Sequence, residues 1–209
     1  MNAFLISCLP IISIHFLAVI SPGPDFILIT KNALIYPKKT GIYTALGISL
    51  GICIHLSYCI FGLDFLLIHA LQFFHVLKYL GAAYLIYLGI QSWVTNVSLV
   101  NNHKTGMQET LMLSNAKAIW QGFLCNVLNP KVGLFFIGLF TVIIKRDTPI
   151  WEQLIYGILM VNVTFIWFTC VACFIARPNI HARIQAIQPI AMKTLGLLLV
   201  IMGLLLFLW

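Results

Sequence analysis

The stretch Ser21-Pro22-Gly23-Pro24-Asp25 decides how this chain is read. It interrupts an apolar run that otherwise extends from Phe4 to Thr30. Proline has no N–H and glycine is a weak helix former, so the run loses several helical hydrogen bonds here. A carboxylate follows directly. In a soluble protein this would be an ordinary turn into a helix. Inside an apolar segment of membrane length, irregular backbone and an acid are both costly. They are expected where they line a cavity or are held by other protein groups.

Composition fixes the environment. Apolar residues make up 61% of the chain and charged residues 8%, and the mean hydropathy is +1.02. Soluble domains carry about 25% charged residues, so this chain lacks the polar surface to stay dispersed in water. It reads as an all-α integral membrane protein. Its 209 residues leave room for about six helices of roughly 20 apolar residues each. No Lys or Arg precedes Lys31 and no small-residue cleavage site follows the first apolar run, so that segment is expected to be retained. The formal charge of +7 is scattered over loops, which fits topology signals and not a nucleic-acid surface. The six cysteines all lie in apolar stretches, where they serve as small packing groups.

Outward from the break, segment one resumes at Phe26 and ends near Leu34, before the basic loop Tyr36-Pro37-Lys38-Lys39. Segment two covers about Gly41 to Leu63, and segment three about Val76 to Val94. Asp64 to His75 is read as a less apolar connection between them. A polar central loop, 95–118, separates two halves of about 1–94 and 119–209 within a single transmembrane domain. Segment four, Ile119 to Ile144, is broken at Asn129-Pro130-Lys131; segments five and six follow at Ile150 to Ala176 and Ile187 to Trp209.

Three segments on each side of a central loop predict two three-helix repeats, the second inverted, with the first helix of each broken at proline. Paired interruptions at corresponding positions are the best sequence pointer to a transport site. With Lys31 counted among the loops of one side and Lys78 among those of the other, Lys and Arg number eight against three, which directs both termini outward.

Asp25 is the sharpest candidate. It either caps the second half-helix, accepting backbone N–H groups, or serves the substrate ammonium or the coupling proton. Pro22, Gly23 and Pro24 would open backbone groups to the cavity, as would Asn129, Pro130 and Lys131 in the other half. Asn126 precedes Asn129 by three residues, which puts the two amides near one helical face. Lys131 either lines the site or snorkels to the interface. Gly47 with Gly51, and Gly81 with Gly89, have the spacing of close helix packing. His15 and His55 read as buried neutral imidazoles bonded to carbonyls, with proton relay as the alternative. No metal-ligand pattern is present, and the lone Cys170/Cys173 pair is weak redox evidence. Phosphate-loop, nucleophile-elbow and zinc-protease motifs are all missing, so neither ATP-driven transport nor enzymatic catalysis is indicated and no cofactor is implied.

Taken in order, Ser21–Asp25, Gly41, Gly47/Gly51, Lys78-Tyr79-Leu80-Gly81-Ala82-Ala83-Tyr84-Leu85 and Asn126-Val127-Leu128-Asn129-Pro130-Lys131 resemble the lysine exporter (LysE) superfamily. The homoserine/threonine efflux (RhtB-type) branch is the most similar. The resemblance covers nearly the whole chain. It implies a bacterial inner-membrane exporter of amino acids or their derivatives, driven by the proton motive force. The family's PGP and NPK elements map onto Pro22–Pro24 and Asn129–Lys131. Where members often continue into Phe-Leu-Pro-Gln-Phe, this chain has Gly138-Leu139-Phe140-Thr141-Val142.

The expected function is therefore secondary export of a small neutral zwitterion. The expected partners are that amino-acid substrate and the lipid bilayer, with homo-oligomer formation left open. The rival readings are a non-transporting membrane scaffold of the same fold and a thiol–disulfide carrier using Cys170 and Cys173.

Overall fold

The computed structural model describes residues 2–21, 23–94, 113–140, 148–177 and 188–208. Every regular element among them is a helix: α1 (Asn2–Ile20), α2 (Pro24–Ile35), α3 (Lys38–Phe61), α4 (Leu63–Val94), α5 (Asn115–Val127), α6 (Pro130–Gly138), α7 (Ile150–Ile175) and α8 (Gln188–Leu208). Pro22, most of the central loop, the Lys145–Asp147 link, the segment holding Pro178 and Arg183, and the Thr141-Val142 end of the altered motif lie outside the described residues.

Prolines set the helix starts. Pro24 and Pro130 stand in the first turns of α2 and α6, while Pro37 and Pro149 are the N-cap residues of α3 and α7. A first-turn proline forfeits an N–H that has no intrahelical partner anyway. Segment four begins earlier than expected, at Asn115, because the Ser114 hydroxyl accepts the Lys117 N–H at 3.3 Å and caps α5.

One expected loop is helix. Asp64 to His75 belongs to α4, which runs unbroken for 32 residues. No proline or glycine occurs between Leu63 and Leu80, so nothing local ends the helix. Lys78, assigned to a loop in the charge count, is consequently a buried residue of α4. Lys31, counted on the opposite side, is likewise buried inside α2. Removing one charge from each side leaves the direction of the bias unchanged.

Two helices, α3 and α7, are individually long and apolar enough to cross a membrane; Cys8–Ile20 and α2, bent by 59° at the break, pass the same test as one span. Apolar surface points outward on each of these spans, at Leu17, Phe61 and Ile158, and also on α8 at Leu204. In water this would be a liability; against lipid it costs nothing.

Packing is pairwise. α3 lies against α5 and α7, α1 against α7, and α4 against α8, while α2 touches α3, α5, α7 and α8. One apolar cluster joins α1, α3, α6 and α7 through Ile11, Ile52, Phe136 and Met160. A second joins α2, α4, α5 and α8 through Leu28, Leu88, Cys125 and Leu199. A third, around Ile29, Ile48 and Phe168, closes α2 against α3 and α7. The short helix α2 is thus surrounded by protein, and it carries Asp25 into the interior.

Candidate functional site

The two breaks meet. Lys131, in the first turn of α6, donates from Nζ to the carbonyl oxygen of Ser21 at 2.9 Å, across 110 residues of sequence. A Cβ added to Gly23 would lie 3.5 Å from the same Nζ, so the lysine stem passes directly over the first break. In the second break the Asn129 side chain accepts the Lys131 backbone N–H at 3.1 Å and caps α6. Asn126 is still within α5, and its carbonyl accepts the Asn129 N–H at 3.0 Å. Asn126 and Asn129 therefore do not share a helical face, because the chain turns between them. Both still border the same cavity.

Asp25 does not cap α2. The N-cap residue is Gly23, which makes no side-chain cap bond, and Asp25 stands one residue inside Pro24. Proline at the first helical position displaces the carboxylate into the first turn, where it still faces the positive end of the helix dipole. Its Oδ2 accepts from Asn126 Nδ2 at 2.8 Å. Asp25 is 7% exposed and Asn126 1%.

A network fixes Asn126 from the other side. His55 Nε2 lies 3.0 Å from the Asn126 carbonyl oxygen, and its Nδ1 lies 2.6 Å from the Tyr58 hydroxyl. The carbonyl only accepts, so Nε2 carries the hydrogen and Nδ1 accepts from Tyr58; the tautomer is assigned from these partners. The His55 ring stacks on Phe136 with centroids 5.6 Å apart. Gly51 leaves room for all of this, since a Cβ there would meet Asn126 Oδ1 at 2.5 Å.

The cavity so formed has a volume of about 40 Å³, space for a few waters or a small polar group. Gly23, Asp25, Asn126, Asn129 and Lys131 line it, together with the aromatic rings of Phe26, Phe135, Phe136 and Phe168. Pro24 and Pro130, buried as the first residues of their half-helices, are not among its lining residues. Lys131 is exposed at its rim and holds the two breaks together. His15, expected to be a buried imidazole bonded to a carbonyl, also lines the cavity, which its sequence context does not indicate.

The stripe glycines fall at helix crossings. A Cβ on Gly47 would strike the Ile119 carbonyl of α5, and one on Gly81 the Leu128 carbonyl beside the second break. One on Gly89 would lie 2.6 Å from the Gly196 carbonyl of α8. Gly122 makes the reciprocal contact with the Thr44 carbonyl, so α3 and α5 touch backbone to backbone. Cys170 and Cys173, exposed and half-buried on α7, are not among the residues that line the cavity.

A second polar cluster lies deeper along α2. Asn32 Nδ2 donates to Thr44 Oγ1 at 2.9 Å and to Gln121 Oε1 at 3.2 Å, and Lys31 Nζ donates to the Leu88 carbonyl at 3.3 Å. These bonds tie α2 to α3, α5 and α4. Sequence inspection missed Asn32 and placed Lys31 in a loop, because neither residue is flanked by a break.

The family model for LysE type translocators matches residues 16–208. This chain belongs to that family. The match takes in both breaks and all the cavity-lining residues except His15. As a LysE type translocator it is a membrane transport protein and not an enzyme. It is 32% identical over 203 residues to the uncharacterized membrane protein YrhP of Bacillus subtilis, covering 94% of this chain and 96% of that one. It is 28% identical to an uncharacterized membrane protein of Vibrio cholerae, covering 86% of this chain and 89% of that one. The threonine efflux protein of Escherichia coli K12 is 26% identical over 181 residues, with 85% of each chain covered. No solved structure matches the translocator.

Proposed function

We propose that this translocator exports a small, neutral, zwitterionic amino acid or amino-acid derivative across the bacterial inner membrane, driven by the proton motive force. The observation that carries the reading is the Asp25–Asn126 pair, buried where two broken helices converge on a cavity. Asp25 offers a carboxylate to the substrate ammonium or to the coupling proton. The half-helix starts at Pro24 and Pro130 offer positive dipole ends to the substrate carboxylate. Similarity to threonine efflux proteins supports the substrate class. Asp25 is the one carboxylate among the described residues lining the cavity, so a second cationic group on the cargo would lack a partner. That disfavours lysine or arginine.

The architecture in this proposal is six spans in two inverted repeats. The packing pattern supports it: exchanging the halves maps α3 against α5 onto α7 against α1, and α2 against α8 onto α6 against α4. The pairs α3–α7 and α4–α8 map onto themselves. An odd number of crossings per half then inverts the second repeat and puts both termini on one face, which the distribution of Lys and Arg directs outward.

The test is efflux of amino acids loaded into cells as dipeptides, with and without the protein. Faster appearance of neutral amino acids outside the expressing cells is expected. Asp25→Asn is expected to lose that difference, and unchanged efflux for every amino acid would support a non-transporting scaffold instead.

A further inference from the structure

We infer that His15 is a substrate-binding residue, and that its Nδ1 and Asp25 Oδ1 together form a two-acceptor seat for a primary ammonium group. The inference rests on the export reading above and adds His15 and the preference for a primary over a quaternary ammonium.

His15 is 1% exposed on α1 and lines the same cavity as Asp25. Its Nε2 lies 3.1 Å from the Met160 carbonyl and 2.9 Å from Thr164 Oγ1 on α7. A carbonyl only accepts, so Nε2 carries the hydrogen and Nδ1 of the neutral ring is a lone pair. That lone pair has no hydrogen-bond partner among the described residues. The same holds for Asp25 Oδ1, because Asn126 occupies Oδ2. A lone pair sealed from water without a donor is destabilising, and native proteins rarely leave such groups unmatched.

The group that satisfies both acceptors must bring at least two N–H or O–H hydrogens, and the carboxylate asks for positive charge. A primary ammonium has three hydrogens and no lone pair. The aromatic rings of Phe26, Phe135 and Phe136 line the same cavity, and aromatic rings attract a cation. Lys131, the resident ammonium, donates to the Ser21 carbonyl at the rim, and its charge also acts on Asp25. A quaternary ammonium would present methyl groups to both acceptors, and a hydroxyl could satisfy only one.

The experiment is calorimetric titration of the purified full-length protein with the twenty common L-amino acids. Each one that binds is then repeated as its 2-hydroxy acid and its N,N,N-trimethyl counterpart. Both counterparts are expected to bind at least tenfold more weakly to wild type, since each leaves a buried acceptor unpaired. His15→Phe, which keeps a ring against Phe135 and Phe136, is expected to weaken the amino acid at least tenfold and to shrink the penalty for the trimethyl compound. Equal binding of amino acid and counterparts would overturn the seat while leaving the export reading standing. If amino acids bind selectively but His15→Phe changes neither affinity nor selectivity, the assignment of His15 is overturned. Absence of binding by every amino acid would overturn the export reading for amino acids, and the seat with it.

Discussion

Asn126 Nδ2 donates to Asp25 Oδ2 at 2.8 Å although 101 residues separate them in the chain. A hydrogen bond to a buried charged group contributes about 1.5–3 kcal/mol. A double-mutant cycle with Asp25→Ala and Asn126→Ala, read by thermal unfolding in detergent, is expected to give a coupling energy of that order. Additive effects would mean that the two side chains do not interact.

His55 holds Asn126 from behind, through Nε2 to its carbonyl. His55→Phe keeps the stack on Phe136 but removes both polar contacts. A loss of about 1–3 kcal/mol is expected from the two hydrogen bonds removed together, although the Asn126 carbonyl keeps the Asn129 N–H. Tyr58→Phe, which removes only the hydroxyl, is expected to cost less, about 0.5–1.5 kcal/mol. Comparing the two unfolding midpoints checks the order.

The α3–α5 crossing has no space for a side chain. Gly47→Ala is expected to lower the unfolding midpoint, at a cost of about 1–3 kcal/mol for overpacking, because the obstacle is the Ile119 backbone and not a movable side chain. Gly51→Ala is expected to impair transport more than stability, since it displaces the Asn126 side chain. Gly138→Ala is the control: nothing lies within 4 Å of the added carbon, and the unfolding midpoint should not fall.

Lys131 joins the two breaks by its bond to Ser21. Lys131→Met keeps the stem and removes the charge, so the protein should fold normally and export more slowly. Lys131→Arg, which retains a donor, is expected to recover part of the rate. Efflux from cells expressing equal amounts of each variant measures this directly.

Cys170 and Cys173 sit on α7 and do not line the cavity. A Cys170→Ser, Cys173→Ser variant is therefore expected to export at the wild-type rate. Loss of activity in that variant alone would revive the thiol-carrier reading.

Much of the site was legible because proline and glycine act locally. Ser21–Asp25 and Asn129–Lys131 announce broken helices wherever they occur, and both breaks lie at the cavity. The roles of individual residues were less legible. Capping by Asp25 was a reasonable expectation until Pro24 took the first helical position and Asn126 took the carboxylate. Asn126 and Asn129 have the spacing of one helix face, but the turn at Leu128–Asn129 separates them. Asp64–His75 looked like a connection because its composition is mixed, whereas the helix needs only the absence of breakers.

Composition by itself determined that the chain lives in a membrane, since too few polar residues exist to cover a soluble surface. The Pro and Gly positions determined where its helices break, because backbone N–H groups and φ angles are set within a few residues. Only the tertiary structure decided that Lys31 is buried, that Asn126 and not a helix terminus receives Asp25, and that His15 faces the same cavity from α1. Those facts depend on side chains that meet across 57 to 149 residues of sequence. Contacts at that range are fixed by how the helices pack, and no local pattern records them.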